Sequence, residues 1–335
     1  MHHGTISPAI AGGLKRLRAR LADAKIPSSK LDETLNLATW NIREFGAGPR
    51  TEASLHYIAE ILGQFDLVSV VELRDNLQQL RKVLEYLGPY WDVVYSDYSA
   101  DPGGNHERLA FIHDTRAVTF TGLAGHVVPS DRKKNAQQDY VSDIDWWRPP
   151  YMAGFQAGSF DFILVVAHIR WGGDGNPGEE ARARELTKLA KWVGAKAKEK
   201  YVTDKDLVIL GDFNIPTITG PAFKAITSTG LQIPKALRGV TGSNLAKDKR
   251  YDQLLHLPSK VFEDAFTGKG GVLDFAGPAG VQGLNDLYQG IKGTSSKGLT
   301  YELSDHLPLW IHVNTDHADA VLDQVLSRGR KGKKV

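Results

Sequence analysis

Two short polar runs beside strongly apolar stretches constrain this sequence more than any other feature. Gly211-Asp212-Phe213-Asn214 follows the apolar stretch 207–210, and Ser304-Asp305-His306 precedes the apolar stretch 307–311. Short apolar runs bounded in this way are typical of buried strands. Carboxylates, an amide and an imidazole therefore stand at strand ends. A phosphate-cleaving site needs such groups, because acids bind its metal and a base moves its proton.

The distribution of polar strand ends along the chain predicts a single catalytic domain. They are spread from Asn41 to His306, so one site must draw on most of the 335 residues. We place this domain at residues 35–314, after a peripheral helical extension over 1–34 and before a C-terminal helix and basic tail over 315–335. Strands outnumber helices and the two alternate in both halves, which predicts two packed sheets with helices outside.

A long helix is predicted over residues 179–200, with Leu186, Leu189 and Val193 on its inner face. Its other face carries Glu, Arg and Lys residues at helical spacing. The simplest interpretation of that face is a solvated surface with ion pairs between successive turns.

Composition excludes several kinds of site and partner. The chain has no cysteine, so disulfides, thiolate zinc sites and cysteine nucleophiles are excluded, and a reducing compartment is compatible with it. A formal net charge of +2 does not describe a polycation that coats nucleic acid. No apolar run has the length that spans a bilayer, and the first thirty residues lack the apolar core of a secretory signal. We therefore expect a cytoplasmic monomer without a membrane partner.

Eleven polar residues lie at or near the predicted strand ends. Charged side chains in such places are unusual unless they are paired or bind a metal. A surface cap or a structural ion pair would explain any one of them, but explaining the whole set in that way needs many coincidences. The residues are Asn41, Glu72, Arg74, Glu107, Arg148, His168, Asp212, Asn214, Asp252, Asp305 and His306.

Three oxygen-bearing side chains in this set suit a magnesium ion. Glu72 offers a hard carboxylate ligand, and the Asn41 amide oxygen and Asp305 would complete the site. Magnesium prefers a few carboxylates together with waters, and the chain offers no thiolates or clustered histidines for zinc. We expect Mg²⁺, with Mn²⁺ able to substitute. The alternative role for Glu72 is an ion pair with Arg74.

Asp252 and His306 are predicted to form a carboxylate-oriented imidazole. The carboxylate would fix the tautomer of the imidazole and raise its basicity, so that His306 could act as general base on the attacking water. Other histidines, such as His56 and His256, are interpreted as structural because isolated histidines usually are.

Taken in order, the motifs resemble those of the endonuclease/exonuclease/phosphatase superfamily, and within it those of pancreatic-type deoxyribonuclease. The resemblance covers roughly residues 35–313. It implies a four-layer αββα sandwich, an α/β fold with two central mixed β-sheets between helices. The matching stretches are 40–46, 71–75, 107–111, 148–151, 167–168, 211–214, 251–253 and 304–308.

The resemblance also implies catalytic roles for single residues. Asp212 would orient the attacking water or share the base role with His306, and Asn214 would hold a phosphate oxygen. His168 would donate to the phosphate or protonate the leaving group, with Glu107 as its carboxylate partner.

Two arginines match arginines that deoxyribonucleases use on the substrate. Arg74 would lie in the minor groove, where an arginine reads shape and potential more than sequence. Arg148 would contact a phosphate. For Arg74, an ion pair with Asp75 or Glu72 is an equally good explanation. Arg148 is the better candidate for a substrate contact, because it begins an otherwise apolar strand.

The chain departs from the deoxyribonuclease pattern in three ways. Asn105 stands where the family places a groove-packing tyrosine, the disulfides are absent, and the segments 125–147 and 215–250 are longer. Within the first segment, Trp146-Trp147 is either a platform on which bases stack or a buried packing pair.

These observations together predict a divalent-metal-dependent phosphodiesterase. We expect a DNA endonuclease with little sequence preference, with DNA favoured over RNA. One alternative is a phosphoesterase of the same superfamily that acts on lipid headgroups or small nucleotides, and the matches at Arg74 and Arg148 argue against it. Another is a binding module with an inactive site, which the complete set of acids, amides and histidines disfavours.

Overall fold

The computed structural model describes residues 1–99, 105–128, 132–142, 146–173, 175–200 and 206–319, together with residues 322 and 326. In this part of the chain, two large β-sheets pack against each other and helices cover their outer faces. The predicted α/β sandwich is confirmed. The predicted C-terminal helix and basic tail lie almost wholly outside the described residues.

Thirteen strands occur among the described residues. The first sheet has the strand order β12-β13-β1-β2-β4-β3 and the second β11-β10-β9-β8-β5, while β6 and β7 form a separate hairpin. Each large sheet is mixed, because β1 runs parallel to β2 and β9 runs parallel to β10, whereas the other neighbours are antiparallel. The bounds are β1 (Thr34–Phe45), β2 (Leu67–Leu73), β3 (Trp91–Tyr95), β4 (Arg108–Asp114), β5 (Thr119–His126), β6 (Arg132–Lys134), β7 (Tyr140–Ser142), β8 (Tyr151–Ala157), β9 (Phe160–His168), β10 (Leu207–Asp212), β11 (Asp252–His256), β12 (Phe266–Val272) and β13 (Leu309–Asn314).

The helices form the outer layers. Apolar residues of α1, α2, α3 and α7 pack on the first sheet, and those of α4 and α5 pack on the second, while α6 contacts β12 and β13. The helix α4 begins and ends earlier than the predicted 179–200. The bounds are α1 (Pro8–Asp23), α2 (Glu52–Leu62), α3 (Gln78–Leu87), α4 (Asn176–Lys196), α5 (Pro221–Ile226), α6 (Lys260–Ala265), α7 (Val281–Leu287) and α8 (Leu299–Glu302).

Strand β1 shows how the sequence builds two apolar layers at once. Successive side chains of a strand point to opposite faces. Leu35 and Leu37 belong to the apolar cluster that includes the second sheet, whereas Ala38 and Trp40 belong to the cluster with the outer helices. Residues 35–42 of β1 are therefore all buried, the polar ones included, because the strand is covered on both faces.

The extension before β1 is part of the outer layer of the first sheet. Leu14, Leu17 and Leu21 of α1 are buried in the same apolar cluster as α2 and α7. The contact is close, since a Cβ atom at Gly13 would lie 1.7 Å from the Tyr57 hydroxyl. The domain boundary at residue 34 stays a prediction.

Irregularities in β1 and β2 shape the strand ends that carry the site. The register shifts between Asn41 and Phe45 and again between Val70 and Leu73. Such bulges bend a strand and re-aim its side chains. Glu72 has a φ of 62°, which is a strained backbone conformation for a residue with a side chain.

Gly211 lets β10 approach β9 at the corresponding point of the second sheet. Its φ is 130°, and a Cβ atom there would lie 2.1 Å from the carbonyl oxygen of Ala167. No other residue type fits this approach without displacing the backbone. The next residue, Asp212, is consequently in register with His168 on β9.

Among the described residues, no helix combines the length and the apolar character that crossing a bilayer requires.

Candidate active site

The predicted site residues converge where the ends of both sheets meet. Asn41 and Asp252 are buried at this point, and Asp305 lies in the segment that leads into β13. The other eight residues line a single cavity of about 470 Å³. They are Glu72, Arg74, Glu107, Arg148, His168, Asp212, Asn214 and His306.

Glu72 and Asn41 form the centre of the predicted metal site. Glu72 Oε1 accepts a hydrogen bond from Asn41 Nδ2 at 2.9 Å, and Glu72 Oε2 accepts one from the Glu44 backbone N–H at 2.8 Å. Burial alone would raise the pKa of Glu72, but His168 and these hydrogen bonds outweigh it and lower the pKa to about 2. The carboxylate is therefore ionised at neutral pH.

The amide orientation of Asn41 supports a cation at this place. Asn41 Nδ2 also donates to Asp212 Oδ2 at 3.0 Å, so both contacts with carboxylates are made by the nitrogen. The amide oxygen, Oδ1, is buried and has no hydrogen-bond partner among the described residues. An unpaired buried acceptor costs about 1–3 kcal/mol, and a hard cation would satisfy it. The side chains of Asn41 and Glu72 thus fit a divalent metal ion.

A second group of ligand-type atoms lies nearby. Asp212, Asp252 and His306 each bring one such atom within 4.8 Å of the other two. However, His306 Nδ1 lies 2.7 Å from Asp252 Oδ2, a distance at which the two atoms share a proton. Because a proton already joins this pair, we assign the metal to the Glu72 side of the site.

Asp305 is the most exposed of the three predicted metal ligands. Its side chain is 43 % exposed, and its Oδ2 lies 3.2 Å from Arg43 Nη1. Burial of the carboxyl group raises the pKa of Asp305, and the nearby Glu72 carboxylate raises it further. The electrostatic influence of Glu72 places Asp305 near the metal site, and its role as a ligand stays a prediction.

Asp252 holds the imidazole of His306 from behind the cavity. Its Oδ2 also accepts a hydrogen bond from the Ser243 hydroxyl at 2.7 Å, which fixes the carboxylate. Burial alone would lower the pKa of His306, but Asp252 and Asp212 outweigh it and raise the pKa to about 10. The structure thus brings together the predicted pair and keeps the imidazole protonated at neutral pH.

His168 is held in the same way from the other side of the cavity. Its Nδ1 lies 2.7 Å from Glu107 Oε2, and Glu107 Oε1 lies 2.9 Å from Arg148 Nη2. Burial alone would lower the pKa of His168, but Glu107 and Asp212 outweigh burial and the positive charge of Arg148, and the net shift is upward. Arg148 therefore has a second contact in the site besides the predicted one with a phosphate.

Asp212 lies between the two histidines. Its Oδ2 is 3.7 Å from His168 Nε2 and 3.7 Å from His306 Nε2. Its Oδ1 accepts the backbone N–H of Asn214 at 2.9 Å, and the Asn214 side chain donates to the carbonyl oxygen of Ile169. A carboxylate flanked by two imidazoles is well placed to accept a proton from water while the imidazoles bind an anion.

Arg74 turns inward rather than out of the site. It donates to the carbonyl oxygen of Asn105, and it lies 3.6 Å from Glu44 and 3.9 Å from Glu107. Its side chain is only 11 % exposed. Arg74 therefore forms ion pairs, as the alternative interpretation predicted, but with Glu44 and Glu107 rather than with Asp75 or Glu72. Contact of Arg74 with a minor groove stays a prediction.

Sequence reasoning missed three residues that line the cavity. Arg170 and Trp171 follow His168 directly in the sequence, and Glu44 follows the bulge in β1. Arg170 is exposed and its guanidinium lies 3.5 Å from the ring centroid of Trp147. The sequence did carry a signal for Arg170 and Trp171, because a cation and an aromatic residue come shortly after the strand that ends at His168.

Three contacts in the site connect the two sheets. Asn41 on β1 donates to Asp212 on β10, and Glu107 beside β4 bonds His168 on β9. The third contact joins His306, which precedes β13, to Asp252 on β11. Each of these three pairs is thus completed across the sheet interface.

Solved structures with the same fold share little sequence with this chain. A Bacteroides thetaiotaomicron protein of the endonuclease/exonuclease/phosphatase family is 18% identical with a TM-score of 0.52, covering 84% of this chain and 98% of its own. A mannosyl-6-phosphatase from the same species is 19% identical with a TM-score of 0.52, covering 83% and 99%. Truncated Caenorhabditis elegans TDP2 is 12% identical with a TM-score of 0.52, covering 84% and 98%. At these identities the likeness shows the fold alone.

Sequence comparison gives the family. No protein of curated function matches the sequence significantly. The profile of the Endonuclease/Exonuclease/phosphatase family matches residues 38–237, which is more than half of the chain. The predicted resemblance is confirmed: the chain belongs to the endonuclease/exonuclease/phosphatase family, whose members are hydrolytic phosphoesterases that use divalent metal ions.

Proposed function

We propose that this protein is a divalent-metal-dependent phosphodiesterase that cleaves DNA internally with little sequence preference. The observation that carries the proposal is a groove that continues on both sides of the catalytic cavity. On one side, Arg74 and Asn105 are shared with a cavity of about 750 Å³ along residues 46–50. On the other, Trp147 and Arg170 are shared with a cavity of about 540 Å³.

An arginine at each junction of this groove suits a polymeric anion. Phosphate contacts from arginine supply most of the sequence-independent affinity for nucleic acid. A small phosphate ester would need only the central cavity. The extension in both directions therefore supports a chain that enters and leaves the site, and an internal cut.

The metal would be held by Asn41 and Glu72, with Asp305 as the predicted third ligand. When bound, a divalent ion would neutralise charge that develops on the phosphoryl oxygens. Mg²⁺ is our proposal for the ion, because the donors are hard oxygens.

The protein groups divide the proton chemistry as follows. Protonated His306 and His168 would donate hydrogen bonds to the phosphate, and one of them would pass its proton to the leaving oxygen. Asp212 would accept the proton of the attacking water, because its Oδ2 lies 3.7 Å from the Nε2 atoms of both histidines that would bind the phosphate. Asn214 would contribute a donor to a phosphate oxygen when substrate displaces its present bond to Ile169.

The deciding experiment is cleavage of supercoiled plasmid by the purified protein with Mg²⁺, with Mn²⁺ and with EDTA. We expect nicked and then linear product with either metal, none in EDTA, and a rate lower by at least about 100-fold for Asp212→Asn. RNA of matched length and p-nitrophenyl phosphate serve as competing substrates. Intact plasmid together with rapid hydrolysis of the monoester would contradict the proposal and indicate a phosphatase.

A further inference from the structure

The cavity beyond Trp147 has features that the catalytic chemistry does not use. It has a volume of about 540 Å³, within the usual range for small-molecule sites. It is lined by Trp146 and Trp147 and, from α4, by Glu185 and its neighbours. Trp147 and Arg170 also line the catalytic cavity, so an occupant here would lie directly beside the reacting phosphate.

Two buried polar atoms in this cavity have no hydrogen-bond partner among the described residues. One is Trp146 Nε1, a donor, and the other is Glu185 Oε1, an acceptor. Buried polar groups are nearly always paired, so unpaired ones call for an explanation. A ligand whose edge carries an acceptor beside a donor would satisfy both atoms.

The charge state of Glu185 supports a polar ligand rather than a cation. Burial raises the pKa of Glu185 to about 7, although hydrogen bonds from the backbone N–H groups of Trp147 and Arg170 lower it. At neutral pH the carboxyl group is therefore divided between its two forms and can either accept or donate a hydrogen bond.

The aromatic wall favours a flat ligand. Trp146 and Trp147 present indole rings, and the Arg170 guanidinium lies 3.5 Å from the Trp147 ring centroid. Stacked aromatic and guanidinium planes are the surfaces on which unstacked nucleobases bind.

We propose that this cavity is a nucleobase subsite, which holds the base of the nucleotide adjacent to the scissile phosphate. The base would stack beside the tryptophans and direct its polar edge to Trp146 Nε1 and Glu185. Because the Watson–Crick edge of every base carries a donor beside an acceptor, the subsite would accept all four. This inference rests on the proposed nucleic-acid substrate and adds that the base is unstacked for cleavage.

The test compares two diesters that differ only in the base-bearing part. Thymidine 5′-(p-nitrophenyl phosphate) offers a base, and methyl p-nitrophenyl phosphate does not. We expect the wild-type protein to favour the thymidine diester in kcat/KM by about tenfold or more, given the usual contribution of one stacked base. Trp146→Phe keeps an aromatic ring but removes the N–H together with the five-membered ring, and Glu185→Leu removes both carboxyl oxygens from a side chain of similar size. Both should reduce this preference severalfold through KM and leave the methyl diester unchanged.

Glu180→Leu is the matched control, because Glu180 lies one turn earlier on α4 with a side chain that is 72% exposed. It should keep the wild-type preference. An equal loss on both diesters in the Trp146 and Glu185 variants, or a preference that survives in them, would overturn the subsite.

A binding measurement separates failure of the subsite from failure of the proposed function. In EDTA, thymidine monophosphate should quench tryptophan fluorescence and bind more tightly than deoxyribose 5-phosphate, with the difference reduced in Trp146→Phe. Binding without this difference would refute the subsite even if plasmid is cleaved. Preserved nucleotide binding in a protein that cleaves no DNA would refute the nuclease instead.

Discussion

Replacement of Asp252 by asparagine tests the protonated imidazole at the centre of the proposed chemistry. Asp252 is 1 % exposed and its Oδ2 lies 2.7 Å from His306 Nδ1. Asparagine keeps the shape of the side chain and can still accept this hydrogen bond. It removes the negative charge that outweighs the burial of His306.

The magnitude follows from that one contact. A hydrogen bond to a charged group contributes about 1.5–3 kcal/mol, more than a neutral one. Each 1.36 kcal/mol lost from the transition state lowers the rate about tenfold. Because asparagine keeps a neutral hydrogen bond, the loss is the difference of about 1–1.5 kcal/mol between the two kinds of bond. Asp252→Asn should therefore lower kcat by about tenfold.

The assay is plasmid nicking at saturating Mg²⁺, with thermal unfolding measured in parallel. Ser243→Ala is the matched control, because the Ser243 hydroxyl donates to the same oxygen of Asp252 at 2.7 Å. It removes a neutral donor and leaves the charge, so we expect a loss of less than about tenfold. A folded Asp252→Asn protein with kcat within threefold of wild type would refute the reasoning, and so would a larger loss in Ser243→Ala.

The remaining predictions concern the metal, the polymer and acid stability. Glu72→Gln should raise the Mg²⁺ concentration for half-maximal nicking by about tenfold or more, in a protein that still unfolds cooperatively; an unchanged Mg²⁺ titration would move the metal elsewhere. Arg170→Ala should flatten the salt dependence of DNA binding by about one unit of slope, measured by fluorescence anisotropy against the distant Lys15→Ala as control. Burial and His3 lower the pKa of His56 to about 4, below its unfolded value of 6.5. His56 therefore stabilises the fold above pH 6.5, and about 2–3 kcal/mol should be lost as the pH falls towards 4. Urea unfolding at pH 7 and 4.5 should show this loss in wild type and a smaller one in His56→Gln.

The backbone frame of the site was predictable because strand ends follow from simple patterns. The apolar run before Asp212 had to be a buried strand, and the run after His306 likewise. Parallel pairing of β9 with β10 then places His168 beside Asp212. The packing of the two sheets against each other was predicted from the order of the motifs, which resembles that of the family. Hydrophobic periodicity alone does not predict it.

Side-chain direction at the edge of the site was not predictable. Arg74 turns towards Glu44 because Glu44 has a φ of 45° within a bulge, and no local pattern announces that conformation. The predicted solvated face of α4 was wrong at Glu185, which lies against the backbone of Trp147 and Arg170. Periodicity identifies the apolar face of a helix, but it does not reveal a polar residue that a neighbouring loop covers.

Because contacts between the two sheets complete the site, catalytic activity should depend on how the sheets pack against each other. Each sheet folded alone would retain its strands and hydrogen-bond ladders, yet would present only one member of each cross-sheet pair. A mild denaturant that lets the sheets slip by an ångström should therefore abolish turnover while far-ultraviolet circular dichroism stays native. Fragments divided between β4 and β8 should also be inert separately and should regain activity only on reassociation, because Glu72 lies in one fragment and Asp212 in the other.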